Sequence, residues 1–476
     1  MLNKGIRIIS LFMSLILVLS GCMAVDTSSE GSSKKKVVYV IEDDEINYYY
    51  SDSNNNSNNN NDNINSSNPN GSSSNNTTEE DKPISSGEWK QERFYLSSCI
   101  VPNDYESLVI YKEAGFNLAE GAGKGDDAAF DLVKNANKVG GIYVLANNKF
   151  RVTLDSGLAF NEKSVKNAVN KYAALDTNRL IMGYTVWDEP VLNDDFFTRA
   201  NRMIGFLNKY DPNSLKFINL LPSYGVYTWD SNEIGSAFGD YTYEEYVEEF
   251  IKGVNPQVVS LDYYPYLMGQ AGYTGDWFRD MGLFRTLCSK YKKPFWYYYQ
   301  VVPIAAGSAK PTTEQVLYQM YVGLAYGAKS LMAWNQDVSS GGKKTEYFEQ
   351  TKARNFEIMP VGTYLLDKTT TEIYHTGAAG NYYEKFYLDK LSDSNLIASA
   401  PTNMILSVFE DGKTNTKYLL VVNKDVNNSV KGEIKLKTNK NIGIFNRNTE
   451  IEDSIGSGDT ISIDIKPGGG EIYILK

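Results

Sequence analysis

The sequence predicts a (β/α)8 barrel followed by a small C-terminal antiparallel β-sandwich. Three observations lead there. From Arg93 onward, eight strand-like runs alternate with eight helix-like runs over roughly 280 residues, the length such a barrel needs. After about Thr370 the helical period stops, and short alternating runs split by Asn, Gly and Asp turns take over. Ahead of both lies a tract too polar to fold by itself.

The chain opens with Lys4 and Arg7 before the apolar run IISLFMSLILVL, which ends at LSGC. A charged start, a short apolar core and small residues make residues 1–21 a secretory signal. Residues 22–88 follow as a disordered tether. Its stretch SDSNNNSNNNNDNINSSNPNGSSSNNTTEEDK has almost nothing to bury against its ordering entropy. The patch VVYVIEDDEINYYY reads as part of that disorder, with a docked strand as the alternative.

The barrel occupies 89–369. Its strands read FYLSSCIV, FNLAEGA, GIYVLANN, LIMGYTVWDEP, KFINLLPSY, VVSLDYYPYL, PFWYYYQVV and SLMAWNQD, separated by segments such as DFFTRANRMIGFLNKY with a helical apolar stripe. An open doubly wound sheet alternates similarly, but no G-x-G-x-x-G or P-loop follows the first strand. Residues 370–476 supply the runs MILSVFED, KYLLVVNKD, SVKGEIKLK, IGIFNR, TISIDIK and GEIYILK, which read as sandwich strands.

Counts then prune the chemistry. A net charge of -11 argues against nucleic acid as a partner. With one histidine, His375, a multi-histidine metal site is excluded, and any Ser-His-Asp or Cys-His mechanism would have to run through that residue. His375 itself reads as packing at the domain junction. Cys22, Cys99 and Cys288 form no CxxC, and Cys99 and Cys288 read as core filler. No cofactor is implied. The 35 Tyr against 20 Phe suit the surface of a polar ligand, since Tyr offers a flat apolar face and a hydroxyl.

Barrel chemistry gathers where strands run out into the following loops. The second strand offers Glu120 there, the third Asn147 and Asn148, and the fourth Trp187, Asp188 and Glu189. The fifth brings Asn219 and the sixth Asp262 and Tyr264. The seventh carries Trp296, Tyr298 and Gln300, and the eighth Trp334 and Asn335. Carboxylates and amides hydrogen-bond sugar hydroxyls, while Trp and Tyr stack on the C–H faces of the ring. Two carboxyl groups also suffice for glycoside hydrolysis without histidine or cofactor.

The fourth strand's ending, GYTVWDEP, resembles the acid/base strand of the clan A barrel glycoside hydrolases, especially the β-galactosidase-like family 42. The closing KPGGGEIYILK is similar to the last strands of many glycosidase C-terminal domains. The resemblance implies that Glu189 is the general acid/base. Two positions depart from it: Asp188 stands where the clan has Asn, and Gln300 where it has the nucleophilic Glu. Asp262 and Glu120 are the acids available for the second role. LSGC resembles the lipobox of bacterial lipoproteins, which implies acylation of Cys22 and a protein held on the extracytoplasmic face of the cell membrane. Together these readings describe a lipid-anchored glycoside hydrolase of a poly- or oligosaccharide, using Glu189, Asp262 and Glu120. Asp188, Trp187, Asn147, Tyr264, Trp296, Tyr298, Gln300, Trp334 and Asn335 would then contact the sugar. Gln300 supports the alternative, a catalytically silent carbohydrate-binding lipoprotein.

Overall fold

A computed structural model describes residues 36–42, 45–51, 89–121, 126–147, 149–227, 238, 240–266, 274–304, 309–378 and 384–476. The segment expected to be a secretory signal, Cys22, the Asn/Ser tract and Asn148 lie outside them. Within the tether, β1 (Lys36–Glu42) and β2 (Glu45–Ser51) pair antiparallel, Lys36 opposite Ser51 and Glu42 opposite Glu45. The patch read as disordered is therefore a hairpin, as its β-branched and tyrosine-rich composition favours.

The barrel closes as expected. β3 (Tyr95–Ser98), β4 (Leu118–Glu120), β5 (Tyr143–Asn147), β6 (Ile181–Asp188), β7 (Leu215–Leu220), β8 (Val259–Asp262), β9 (Phe295–Gln300) and β10 (Ala328–Trp334) run parallel, and β10 returns to β3. Around them lie α1 (Tyr105–Glu113), α2 (Asp126–Val139), α3 (Lys149–Asp155), α4 (Glu162–Leu175), α5 (Asp194–Tyr210), α6 (Tyr243–Val254), α7 (Thr274–Tyr291), α8 (Thr313–Ala325) and α9 (Phe348–Tyr364). Caps fix several helix starts. Asn161, Asn193, Thr242 and Thr312 each accept a backbone N–H of the following first turn. The short α3 is not foreseen from sequence, because seven residues are too few for a 3.6-residue period to show.

Strand alternation splits the core in two. Leu118, Leu145, Leu215, Phe217, Trp296 and Met332 fill the barrel interior. Val144, Ile218, Leu261, Tyr297, Tyr299 and Leu331 face the helices instead. A β-ribbon of β11 (Ser339–Ser340) and β12 (Lys343–Lys344) follows the last barrel strand.

The C-terminal domain is antiparallel and sandwich-like. β13 (Thr369–His375), β14 (Ile397–Ser399), β15 (Met404–Glu410), β16 (Lys417–Asn423), β17 (Val430–Asn446), β18 (Ile451–Ile465) and β19 (Gly470–Leu475) are ordered β13-β15-β16-β19-β17-β14, with β18 on β17. SVKGEIKLK and IGIFNR, read as two strands, are one: β17 continues through a register shift between Lys435 and Lys440. Its Ile434 and Leu436 pack with Leu406, Val408, Leu419 and Val421 in a core of their own. On the other face of β15, Ile405 and Phe409 join the barrel's outer core, and Ser407 Oγ donates to Ala325 O at 2.8 Å. This explains why α8 is buried on every side from Gln315 to Ala325. His375 sits at the junction as expected, buried, with Nε2 3.0 Å from the Tyr326 hydroxyl.

One close approach tests this packing. β6 and β7 pass so near each other at Gly183 that a Cβ there would overlap the Leu215 carbonyl. Gly183→Ala is therefore expected to destabilise the barrel by about 1–3 kcal/mol, read as a lower midpoint in denaturant unfolding with unchanged slope.

Candidate active site

Parallel strands in a closed barrel all end at one rim, which brings distant acids together. Glu120 closes β4, Asn147 β5, Asp188 β6, Asp262 β8, Gln300 β9 and Trp334 β10. Two clusters result.

The first surrounds Glu120, which is only 3% exposed. Its Oε1 accepts from Asn147 Nδ2 at 3.1 Å and Thr185 Oγ1 at 2.9 Å, and its Oε2 from the Tyr298 hydroxyl. Burial raises its pKa, the Tyr298 hydrogen bond opposes this, and the charge of Asp188 adds to it. Both oxygens are engaged and turned away from solvent. Glu120 thus braces neighbouring strands at the rim through Asn147, Thr185 and Tyr298. Asn147 and Tyr298 are buried with it and hold it, rather than lining a ligand surface.

The second cluster holds Asp188, Glu189 and Asp262. A register shift between Thr185 and Trp187 turns Val186 and Trp187 both outward, so that Asp188 points inward. Trp187 packs on Phe196 of α5, centroids 4.9 Å apart, which corrects its expected place against a sugar. Asp188 Oδ2 lies 2.8 Å from Arg151 Nη2, and its Oδ1 accepts from Asn219 Nδ2 at 3.3 Å. Arg151 Nε reaches Asp155 Oδ2 at 3.0 Å. Burial lowers the guanidinium's pKa, but Asp188, Asp155 and Glu120 outweigh it and leave the group firmly charged. Sequence reasoning missed Arg151; the i,i+4 spacing of Arg151 and Asp155 is the one signal it left.

Glu189 follows the strand with φ of 49°, a left-handed conformation that glutamate adopts at a cost of about 1–2 kcal/mol. Its N–H donates to Asn219 O at 2.9 Å, and its carboxyl is hydrogen-bonded to that of Asp262. Burial raises the Glu189 pKa well up, and the charges of Asp262 and Asp188 raise it further. Burial also raises Asp262, against the opposing Glu189 hydrogen bond. Two touching carboxyls repel strongly when both are charged, so the contact favours a proton held within the pair. Asn219 and Tyr264 side chains also reach Asp262, yet its buried Oδ1 has no hydrogen-bond partner. An unpaired buried acceptor of this kind points to a site where something else binds.

The remaining expectations divide. Tyr264 lies against Trp334, centroids 5.8 Å apart, and forms an aromatic edge beside the pair. Asn335 spends its Oδ1 on the Gln336 N–H at 2.7 Å and shapes its own loop, with φ of 62°. Trp296 is at the opposite end of the barrel, fully buried among Trp89, Tyr95 and Phe217, with Nε1 on Gln91 Oε1 at 3.0 Å. Gln300 is fully buried too. Its Oε1 accepts from Tyr266 N at 3.2 Å and its Nε2 donates to Val302 O at 3.2 Å, so the amide ties two loops together. Neither Trp296 nor Gln300 is placed to touch a sugar. Among the described residues no group of three or more His, Cys, Asp or Glu is arranged to hold a metal ion.

No protein-family profile and no curated protein matches the chain by sequence. Solved structures do match by shape. A catalytic mutant of a family 42 β-galactosidase from G. stearothermophilus superposes with a TM-score of 0.55 at 7% identity, covering 83% of this chain and 99% of that one. The β-galactosidase from Bacillus circulans sp. alkalophilus gives 0.50 at 10% identity, covering 81% and 99%. A family 39 glycoside hydrolase from Bacteroides cellulosilyticus WH2 gives 0.46 at 11%, covering 81% of each. The first two matches show that the chain has the barrel fold seen in those β-galactosidases.

The raised carboxyls make stability depend on pH. Asp262, and Asp280 whose Oδ2 accepts the Ser223 N–H at 2.8 Å, are pushed by burial to about 7. The folded chain thus holds protons that the unfolded chain releases near pH 4. Their stabilisation is complete below about pH 4 and is lost as pH rises through 7, by about 2–4 kcal/mol per carboxyl. Thermal midpoints measured from pH 5 to 8 should fall in the wild type and fall less in Asp262→Asn.

Proposed function

We propose that the protein is a glycoside hydrolase whose proton donor is Glu189. One observation carries this reading: the Glu189 and Asp262 carboxyls touch, both pushed up by burial, at the ends of two barrel strands beside the Tyr264–Trp334 edge. Backbone strain at Glu189 supports it, since unfavourable φ values concentrate at functional positions. In this reaction Glu189 gives its proton to the glycosidic oxygen as the C–O bond breaks, and water supplies the new anomeric hydroxyl. A second carboxylate must act across the bond, about 5–5.5 Å away for retention or about 6.5–9.5 Å for inversion. Glu189 and Asp262 touch in the structure, so a sugar entering between β6 and β8 has to part them. Parting leaves Asp262 as the free carboxylate and Glu189 as the acid. The likeness of GYTVWDEP to the family 42 strand supports the same assignment for Glu189.

A second reading is a carbohydrate-binding protein without turnover. Gln300 favours it, because a fully buried amide stands where the clan's nucleophile would be and an amide cannot attack the anomeric carbon. In either case we read Cys22 as the lipid-bearing residue that holds the chain at the outer face of the membrane.

Glu189→Gln should lower turnover on a hydrolysed oligosaccharide by about 10²–10⁴-fold while leaving binding, measured by calorimetry, near the wild-type value. Binding by both proteins with hydrolysis by neither would select the silent binder. Equal turnover would remove Glu189 from the chemistry.

The anchor is tested apart from the barrel. Cys22→Ala should move the protein from the membrane fraction to the soluble one, and retention in the membrane would refute lipidation.

A further inference from the structure

Gathering cations in a recess is costly unless anions answer them, and the far end of the barrel from Glu189 gathers four with only peripheral acids nearby. A cavity of about 560 Å³ lies between the entries to β9 and β10 and the start of β13. Arg285, Lys292, Lys293 and Lys329 line it, with Ser289 and Thr370, and the lining contains no carboxylate. In a chain of net charge -11 this is a local reversal of sign. The nearest acids stand off at the surface: Asp389 is 3.9 Å from Arg285 Nη2, and Asp367 pairs with Lys368.

The cations are held by neutral groups. Arg285 Nη2 donates to Tyr387 O at 3.0 Å, Lys293 Nζ to Asn255 Oδ1 at 2.8 Å, and Lys329 Nζ to Leu365 O at 2.7 Å. Two buried polar atoms of the lining, Arg285 Nε and Thr370 Oγ1, have no partner at all. Thr370 is 6% exposed, so water does not readily supply one. Burial lowers the pKa of Arg285, Lys293 and Lys329, the last to about 8, and Asp389 and Asp367 only partly offset this for Arg285 and Lys329.

We infer that this cavity is a binding site for a phosphate-type oxyanion, separate from the carboxylate rim. A tetrahedral anion offers acceptors to Arg285 Nε and the Thr370 hydroxyl together, and its charge answers the lysines. Two sources share this chemistry, free phosphate and the phosphodiester of a lipid headgroup.

The test uses the full Cys22→Ala chain, so that acylation plays no part. Thermal unfolding in 10 mM inorganic phosphate is compared with chloride at equal ionic strength. A millimolar site raises the midpoint by about 1–3 °C. Lys292→Glu, at an exposed position, and Arg285→Gln should both abolish the rise. Co-sedimentation with phosphatidylglycerol vesicles, against phosphatidylcholine ones, separates the sources: binding there that both substitutions abolish, without a phosphate shift, assigns the headgroup. No phosphate shift and no vesicle binding overturns the site. So does any effect that the two variants keep in full, since it would be a general salt or surface effect.

Discussion

Everything at the rim depends on Arg151. Glu120, Asp188, Glu189 and Asp262 crowd one barrel end, and two like charges about 4 Å apart repel by about 4 kcal/mol at the dielectric typical of such places. Arg151, charged under all conditions, sits 2.8 Å from Asp188 and contributes attraction to Glu120 as well. It answers the charge of Asp188, while Asp188 and Asp262 push the Glu189 pKa up against the opposing pull of Arg151. The charge balance of the rim thus includes a group on a helix of seven residues.

The seventh barrel strand has become a strand that holds. Tyr298 engages Glu120, and Gln300 links the loops after β8 and β9 while its backbone exchanges hydrogen bonds with Gln319 of α8. α8 in turn is enclosed by the C-terminal sheet through Ser407 and its neighbours. A continuous run of hydrogen bonds and packing thus joins the C-terminal domain through α8 and β9 to the groups under the rim.

The two ends of the barrel carry opposite charge. Acids converge where the strands exit, and cations converge where β9 and β10 begin. Parallel strand direction makes this separation possible, because residues at matching strand positions gather at one end or the other.

Periodicity in the sequence was enough for the barrel, the C-terminal strands and the presence of acids at strand exits, because these depend on local alternation and on counting. It also made Glu189, Asp188 and Asp262 legible, since each stands at the end of an apolar run. What only the tertiary structure decided was direction and company. The register shift at Val186 reversed the faces of Trp187 and Asp188, and such a bulge leaves no mark in a period of two. Trp296 and Gln300 belong to the same strand, yet four residues of rise put one at the closed end and the other beneath the rim. Glu120 and Gln300 have the residue types of a site and are spent on its support. Arg151 reads as part of a loop until the barrel closes and brings it to Asp188. Residue type and spacing are local properties; hydrogen-bond partners are set by the chain's distant parts, and those partners determine whether a carboxyl reacts or braces.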